Sequence, residues 1–157
     1  MKLKGIVLVR PKKHANVGGI ARSMAAFGFK DLIIVQKPDQ LNLKKASHIS
    51  KQGKKIIENV KLVNSLSEIK GIKIGTISMY DNERFGFKLT ELSEMNWPDE
   101  FYLVMGSEGD GLTYGELREC DCLITIETEG KYGVLNLGVA TAIILREIYC
   151  KLKKKEM

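Results

Sequence analysis

Cysteine, proline and long apolar runs are all scarce in this chain, and each shortage closes off a class of protein. Three cysteines, Cys120, Cys122 and Cys150, make an odd count that cannot form a disulfide framework. Cys120-Asp121-Cys122 is a lone CxC without the second pair that a zinc site uses, so it reads as reduced and structural, with no metal expected. Three prolines, no serine-rich stretch and no internal repeat leave no linker, and 157 residues fit one domain over 1–157. No apolar run is long enough to cross a bilayer, and Met1-Lys-Leu-Lys-Gly-Ile-Val opens as a strand rather than a signal peptide. No membrane association and a cytoplasmic location are the resulting expectations. The glycines follow neither the G-x-G-x-x-G spacing of dinucleotide sites nor the Gly-Lys-Ser/Thr ending of a phosphate-binding P-loop.

What is present is ordinary in bulk and uneven in placement. Hydrophobic residues make up 44% and charged residues 28%, as in globular proteins, with a formal net charge of +6. Residues 1–70 carry 15 Lys/Arg against 4 Asp/Glu, whereas residues 71–130 carry 4 against 13. A basic first half suits a polyanion, because neutralising phosphates releases condensed counterions. The plainer alternative is lysines solvating surface helices.

Apolar, β-branched runs at Ile6–Val9, Leu32–Val35, Ile72–Ile77, Tyr102–Met105 and Leu123–Ile126, with a shorter one at Lys61–Val63, read as strands. Helical patterns at Val17–Phe27, Lys45–Asn59, Ser65–Lys70, Tyr114–Glu119 and Leu137–Leu152 alternate with them. The expected fold is α/β, a mostly parallel sheet with helices on both faces. Asn16 reads as N-cap of the first helix, with Arg22 near its start and Gly28 closing it. The last helix is apolar almost all round from Leu137 to Leu145, which predicts burial from a second side, as in a homodimer.

Three segments just past strand-like runs carry the candidate chemistry, where ligands bind in open α/β sheets. In Asn16-Val-Gly-Gly-Ile-Ala-Arg22, amides at a helix start and a guanidinium suit a phosphate, and Arg10, Lys12, Lys13 and His14 precede it in one basic loop. Met105-Gly-Ser-Glu-Gly-Asp-Gly-Leu112 is acidic, so it repels a pyrophosphate but accepts a sulfonium or a ribose hydroxyl. In Val134-Leu-Asn-Leu-Gly-Val-Ala140, Asn136 either caps a helix or reaches into a ligand site, while Ile126 and Leu135 either wall an adenine or are simply core.

In this order the segments resemble the TrmH branch of the SPOUT superfamily, RNA ribose methyltransferases whose motifs read N-x-G-x-x-x-R, G-x-E-x-x-G-L and L-N before an apolar helix. Asn16, Gly18 and Arg22 match the first, Gly106, Glu108, Gly111 and Leu112 the second, and Leu135 and Asn136 the third. Val134 stands where many relatives carry serine, and Lys131-Tyr-Gly-Val-Leu-Asn136 is closer to archaeal TrmJ-like members. The short length, without an added RNA-binding domain, resembles the compact TrmL and archaeal TrmJ types. The resemblance implies a carboxyl-terminal deep trefoil knot, a homodimer, and S-adenosyl-L-methionine held by Ile77, Ser78, Met79, Gly106, Glu108, Gly111, Ile126, Val134, Leu135 and Asn136. It implies methyl transfer to a ribose 2′-oxygen, most readily in a tRNA anticodon loop, with Arg22, Asn16, Glu108 and Asn136 as catalytic residues. Arg10, Lys12, Lys13, His14 and Arg22 are the expected RNA contacts. A free guanidinium with a pKa above about 12 is a poor base, so Arg22 is assigned to orienting phosphate and stabilising developing oxyanion charge. Asn16 and Glu108 are assigned to hold Arg22 and the ribose. The alternatives are ribose methylation of rRNA, a base-nitrogen methyltransferase, and a non-catalytic RNA-binding protein of the same fold.

Overall fold

Every strand pairing in the computed structural model of this protein is parallel. The structure describes residues 1–156; Met157, the last residue of the expected domain, lies outside the described residues. The strands are β1 (Lys2–Val9), β2 (Leu32–Val35), β3 (Lys61–Val63), β4 (Lys73–Thr76), β5 (Thr90–Glu91), β6 (Glu100–Met105) and β7 (Cys122–Thr125). They lie in the order β3-β2-β1-β6-β4-β7-β5. The helices are α1 (His14–Phe27), α2 (Leu43–Ile49), α3 (Lys54–Glu58), α4 (Met79–Asn82), α5 (Tyr114–Glu119) and α6 (Leu137–Glu156).

Strand residues alternate between two cores, one on each face of the sheet. Ile6, Leu8, Ile34, Leu103 and Ile124 pack with Ile20 and Met24 of α1 and Ile144, Leu145 and Ile148 of α6. Val7, Val9, Val35, Val104 and Leu123 face the other way, onto Leu66, Leu112 and Leu117 of α5. Burial on both faces is why the central strands read as unbroken apolar runs instead of alternating ones. Among the described residues no helix is long and apolar enough to cross a membrane.

The structure corrects four details of the sequence reading. First, α1 begins at His14, so Asn16 is its third residue and not its cap, and the cap position, Lys13, makes no side-chain cap bond. Arg22 is therefore the ninth residue of α1, two turns in. Second, the expected helix over Lys45–Asn59 is broken into α2, a 3-10 turn at Lys51–Gly53 and α3, with Lys51 left-handed at φ 52°. The break brings Gly53 against α1 so closely that a Cβ there would lie 2.5 Å from the Ala21 carbonyl oxygen. Third, Ser65–Lys70 forms only a 3-10 turn, Leu66–Glu68, held by a reciprocal capping box between Ser65 and Glu68. Fourth, the two-residue edge strand β5 pairs with β7 inside a stretch that shows no regular pattern in sequence. Gly28 does close α1, in the left-handed conformation, with the Phe29 N–H donating back to the Met24 carbonyl.

Burial pushes the Cys120 thiol up to about 12, which keeps it protonated and inert. All three cysteines are free, and among the described residues no cluster of three or more His, Cys, Asp or Glu could hold a metal.

Candidate active site

A cavity of about 360 Å³ opens at the carboxyl ends of β4, β6 and β7, between the loops that leave those strands. That volume is in the range of small-molecule sites. Its walls take Ile77 and Ser78 after β4, Gly106–Leu112 after β6, and Ile126 with Gly133–Leu137 after β7. Lys13 and Asn16 reach it from α1. All three segments singled out in the sequence therefore contribute to one place.

The glycine-rich loop is folded tightly on itself. The Gly111 N–H donates to the Ser107 carbonyl at 2.9 Å, and Gly109 and Gly111 have φ of 81° and 68°. A Cβ on Gly106 would lie 2.3 Å from the carbonyl carbon of Gly111 and the nitrogen of Leu112, both main-chain atoms that cannot move aside independently. Only glycine fits this position, and the loop shape depends on it.

Glu108 joins this loop to the start of α1. Its carboxylate accepts the main-chain N–H groups of Lys12 and Lys13, each at 2.8 Å, and the Asn16 Nδ2 at 3.0 Å. Side chains on a helix normally supply its own cap; here a carboxylate from a distant loop satisfies the amides leading into α1, at the positive end of its dipole. Glu108 thus anchors the two residues ahead of α1 and draws the Asn16 side chain of its first turn toward the loop. Two ion pairs reinforce the join: Arg10 grips Glu116 of α5 with both terminal nitrogens, one at 2.9 Å, and Lys12 Nζ meets Asp110 at 2.6 Å.

These contacts hold carboxylates ionised. Burial disfavours the charged form of Glu108, but the bonds from Asn16, Lys12 and Lys13 outweigh it and lower its pKa. Glu116 is likewise lowered, burial being overcome by the bond from Arg10, and Asp110 is lowered by Lys12. Lowered carboxylates stabilise the fold at pH above their ordinary values, 4.5 for glutamate, and that stability is lost as pH falls through the native values. Thermal melts of the parent chain should therefore fall steeply below pH 4.5. Glu108→Gln should melt lower at neutral pH and flatten that acid limb; an unchanged acid limb would refute the linkage.

At the third segment, the Asn136 Oδ1 accepts the N–H groups of Gly138 at 2.9 Å and Val139 at 3.2 Å, so it caps α6 while also lining the cavity. Asn16 Oδ1 lies 3.6 Å from where a Gly138 Cβ would sit, so the starts of α1 and α6 meet beside Glu108.

Other expected residues fall elsewhere. Met79 is 59% exposed and outside the cavity wall, because Ser78 turns the chain into α4 by accepting the Asp81 N–H. Arg22 is exposed, and among the described residues its side chain makes no hydrogen bond or ion pair; Glu108 holds Asn16 and not Arg22. Six residues of helix carry Arg22 about 9 Å along the axis from Asn16 and about 120° around it. Arg10 and Lys12 are engaged by Glu116 and Asp110, whereas Lys13 sits at the cavity and His14 opens α1. The cavity wall also includes Thr76, Asp81, Arg84, Phe85 and Thr125, which sequence reasoning missed. Arg84 and Phe85 lie in the patternless stretch after β4, and the Arg84 guanidinium covers the Phe85 ring at 4.7 Å. Thr125 hides inside an apolar strand run, yet among the described residues its buried hydroxyl has no hydrogen-bond partner, an irregularity a lone hydroxyl in Leu123–Ile126 could have signalled.

Residues 4–146 match the SpoU rRNA Methylase family. This chain belongs to that family. The SpoU chain is 35% identical over 156 residues to the tRNA (cytidine-2'-O-)-methyltransferase TrmJ of Methanocaldococcus jannaschii, covering 93% of itself and 67% of that protein. By contrast, it spans 34% of the length of a curated relative from Synechocystis, an uncharacterized tRNA/rRNA methyltransferase 30% identical to it. The SpoU methyltransferase AviRb of Streptomyces viridochromogenes, solved in complex with AdoMet, shares its fold at a TM-score of 0.80 and 21% identity, over 97% of this chain and 61% of that one. A structure described as giving insights into the 2-OH methylation of C/U34 on tRNA superposes with a TM-score of 0.78 at 23% identity, covering 96% of each chain.

Proposed function

We propose that this chain transfers a methyl group from S-adenosyl-L-methionine to a ribose 2′-oxygen of tRNA, in the anticodon loop. The observation that carries the reading is the convergence of the three segments on one cavity at the strand ends. The relative from Methanocaldococcus jannaschii supports the substrate class, and the fold relative concerned with C/U34 supports the loop. Residues 1–157 act as one methyltransferase domain, and a cytoplasmic location goes with that substrate.

The cavity fits the cofactor. Ile77, Ile126 and Leu135 give apolar walls for an adenine, and the unpartnered Thr125 hydroxyl lies in the same wall. Gly106 leaves main chain where any side chain would intrude. Bound S-adenosyl-L-methionine supplies an already activated electrophilic methyl group. Glu108 stays ionised with its oxygens occupied by three donors, so it fixes the site and its charge favours a cationic ligand; it does not take the 2′-proton. Asn136 holds the start of α6 against the cavity.

The strand order supports a trefoil knot: β6 inserts between β1 and β4, β7 lies beyond β4, and the loops after all three line the cavity. A homodimer is supported by α6, whose Val139 and Ile143 are exposed at 50% and 39% while Ile144, Leu145 and Ile148 fill the core. Arg22 is exposed on the neighbouring α1, so its catalytic role belongs to a site completed by a second copy. Light scattering should give about twice 17.6 kDa. Ile143→Glu should yield a folded monomer, whereas a parent chain that is monomeric and active would refute the shared face.

The test of function is calorimetry with S-adenosylhomocysteine, which should bind saturably, followed by transfer of labelled methyl to unmodified tRNA and mass spectrometric mapping of the ribose. Absence of heat at millimolar ligand would overturn the reading.

A further inference from the structure

The rim of the cavity carries a pair of aromatic rings that neither the core nor the cofactor reading uses. Tyr80, on α4, and Tyr132, in the loop between β7 and α6, meet with ring centroids 5.1 Å apart at an interplanar angle of 72°. Both are exposed, Tyr80 at 44% and Tyr132 at 64%. Their neighbours in sequence, Ser78 and Asp81 on one side and Gly133 and Val134 on the other, line the cavity, so the two rings join its opposite lips. Tyr132 is held in place locally: its carbonyl accepts the Val134 N–H at 2.5 Å, and Gly133 lies against the Thr128 side chain. Lys131 Nζ stands 5.5 Å from the Tyr132 ring centroid.

Two half-exposed aromatic rings keep apolar area in water, which a protein retains where a flat partner will cover it. Edge-to-face contact braces both rings, and the ring that presents its edge keeps its own faces clear of the other ring. An ammonium beside the pair adds a partner for the backbone phosphate of a stacked nucleotide. Aromatic faces with adjacent cations are how proteins hold unpaired bases of single-stranded RNA.

We propose that Tyr80 and Tyr132 form a stacking platform for an unpaired nucleobase next to the target ribose, with Lys131 meeting its phosphate. The inference rests on the RNA-methyltransferase reading above and adds the residues that select an unstacked loop over duplex RNA. The platform is a positioning device, distinct from the cofactor's contacts.

The test measures direct binding, by fluorescence anisotropy, of an unmodified tRNA anticodon stem–loop to the parent chain and to Tyr80→Ala, Tyr132→Ala, Tyr132→Leu and Tyr132→Phe. Melting temperature and S-adenosylhomocysteine affinity are recorded for each, and the assay needs no turnover, so a chain that binds RNA without methylating it still tests the platform. Alanine at either position and leucine at Tyr132 should weaken stem–loop binding about tenfold, as for loss of one stacked base, with melting temperature and cofactor affinity retained. Phenylalanine should restore binding, since the ring and not the hydroxyl is used. Replacing the stacked loop nucleotide by an abasic one should weaken the parent similarly and add no further loss in Tyr132→Ala. Unchanged stem–loop affinity in both alanine variants would overturn the proposal. So would a loss confined to S-adenosylhomocysteine, which would make the pair a cofactor lid, and a loss that leucine restores as well as phenylalanine does.

Discussion

Gly106→Ala should abolish cofactor binding, lowering S-adenosylhomocysteine affinity by at least about a hundredfold, while far-ultraviolet circular dichroism stays close to the parent's. The added methyl group would lie 2.3 Å from two main-chain atoms of the same loop, Gly111 C and Leu112 N. Such a distance cannot be relieved by rotating a side chain, so Gly106–Leu112 must open. Opening it moves Glu108 off the amides of Lys12 and Lys13 and disturbs Leu112, which is packed in the second core. Gly109→Ala is the control. Unlike Gly106 it has positive φ, but it meets nothing within 4 Å, so it should cost backbone strain of about 1 kcal/mol and bind the cofactor far better than Gly106→Ala. Equal affinities in the two variants would show that the close packing at Gly106 does not shape the site.

Arg22→Ala should cut methyl transfer by at least about a hundredfold while leaving melting temperature, cofactor affinity and most RNA affinity in place. The expectation follows from exposure: the side chain makes no ion pair or hydrogen bond among the described residues, so its removal deletes charge and little else. Removing Lys13 should act differently, weakening RNA binding and flattening its salt dependence, because a phosphate contact contributes equally before and during reaction. Lys12 is a poorer probe, since its ammonium is engaged with Asp110. Methylation by Arg22→Ala at the parent rate would remove Arg22 from the catalytic set and leave it a surface residue of α1.

Strand identity was readable because parallel strands buried on both faces are continuous apolar runs; five of the seven follow from that signal, and the exposed edge strand β3 was legible only as a shorter run. β5 was not, because two residues carry no periodicity. The three loop segments were readable as candidates since glycine and polar residues stand out after apolar strands. Their connections were not. Asn16 looked like a cap because asparagine before an apolar helix usually is one; that the amides ahead of α1 are satisfied from Glu108, far along the chain, is a tertiary fact with no local trace. The lysines and arginine of the first loop looked free for RNA because sequence shows charge but not partners, and Glu116 and Asp110 engage two of them. Apolar residues all round the start of α6 were legible, but not which of them the chain itself covers: Ile144 is buried and Ile143 is not.

The place of β6 between β1 and β4 also governs how the molecule is made. As the polypeptide leaves the ribosome, β1, β2 and β3 can assemble early, but the edge of β1 that β6 will occupy stays open until residue 105 has emerged. β4 waits equally, since both of its neighbours, β6 and β7, come later in the chain. The nascent protein thus spends most of its synthesis with one edge of β1 unpaired, and both edges of β4 join it once residue 76 has emerged, the condition under which chains stick to one another. The central pairing joins residues about a hundred positions apart, so its closure is slow relative to local helix formation. Refolding yield should accordingly depend on concentration far more than final stability does, and a holdase that shields strand edges should help this protein during synthesis and do nothing for it afterwards.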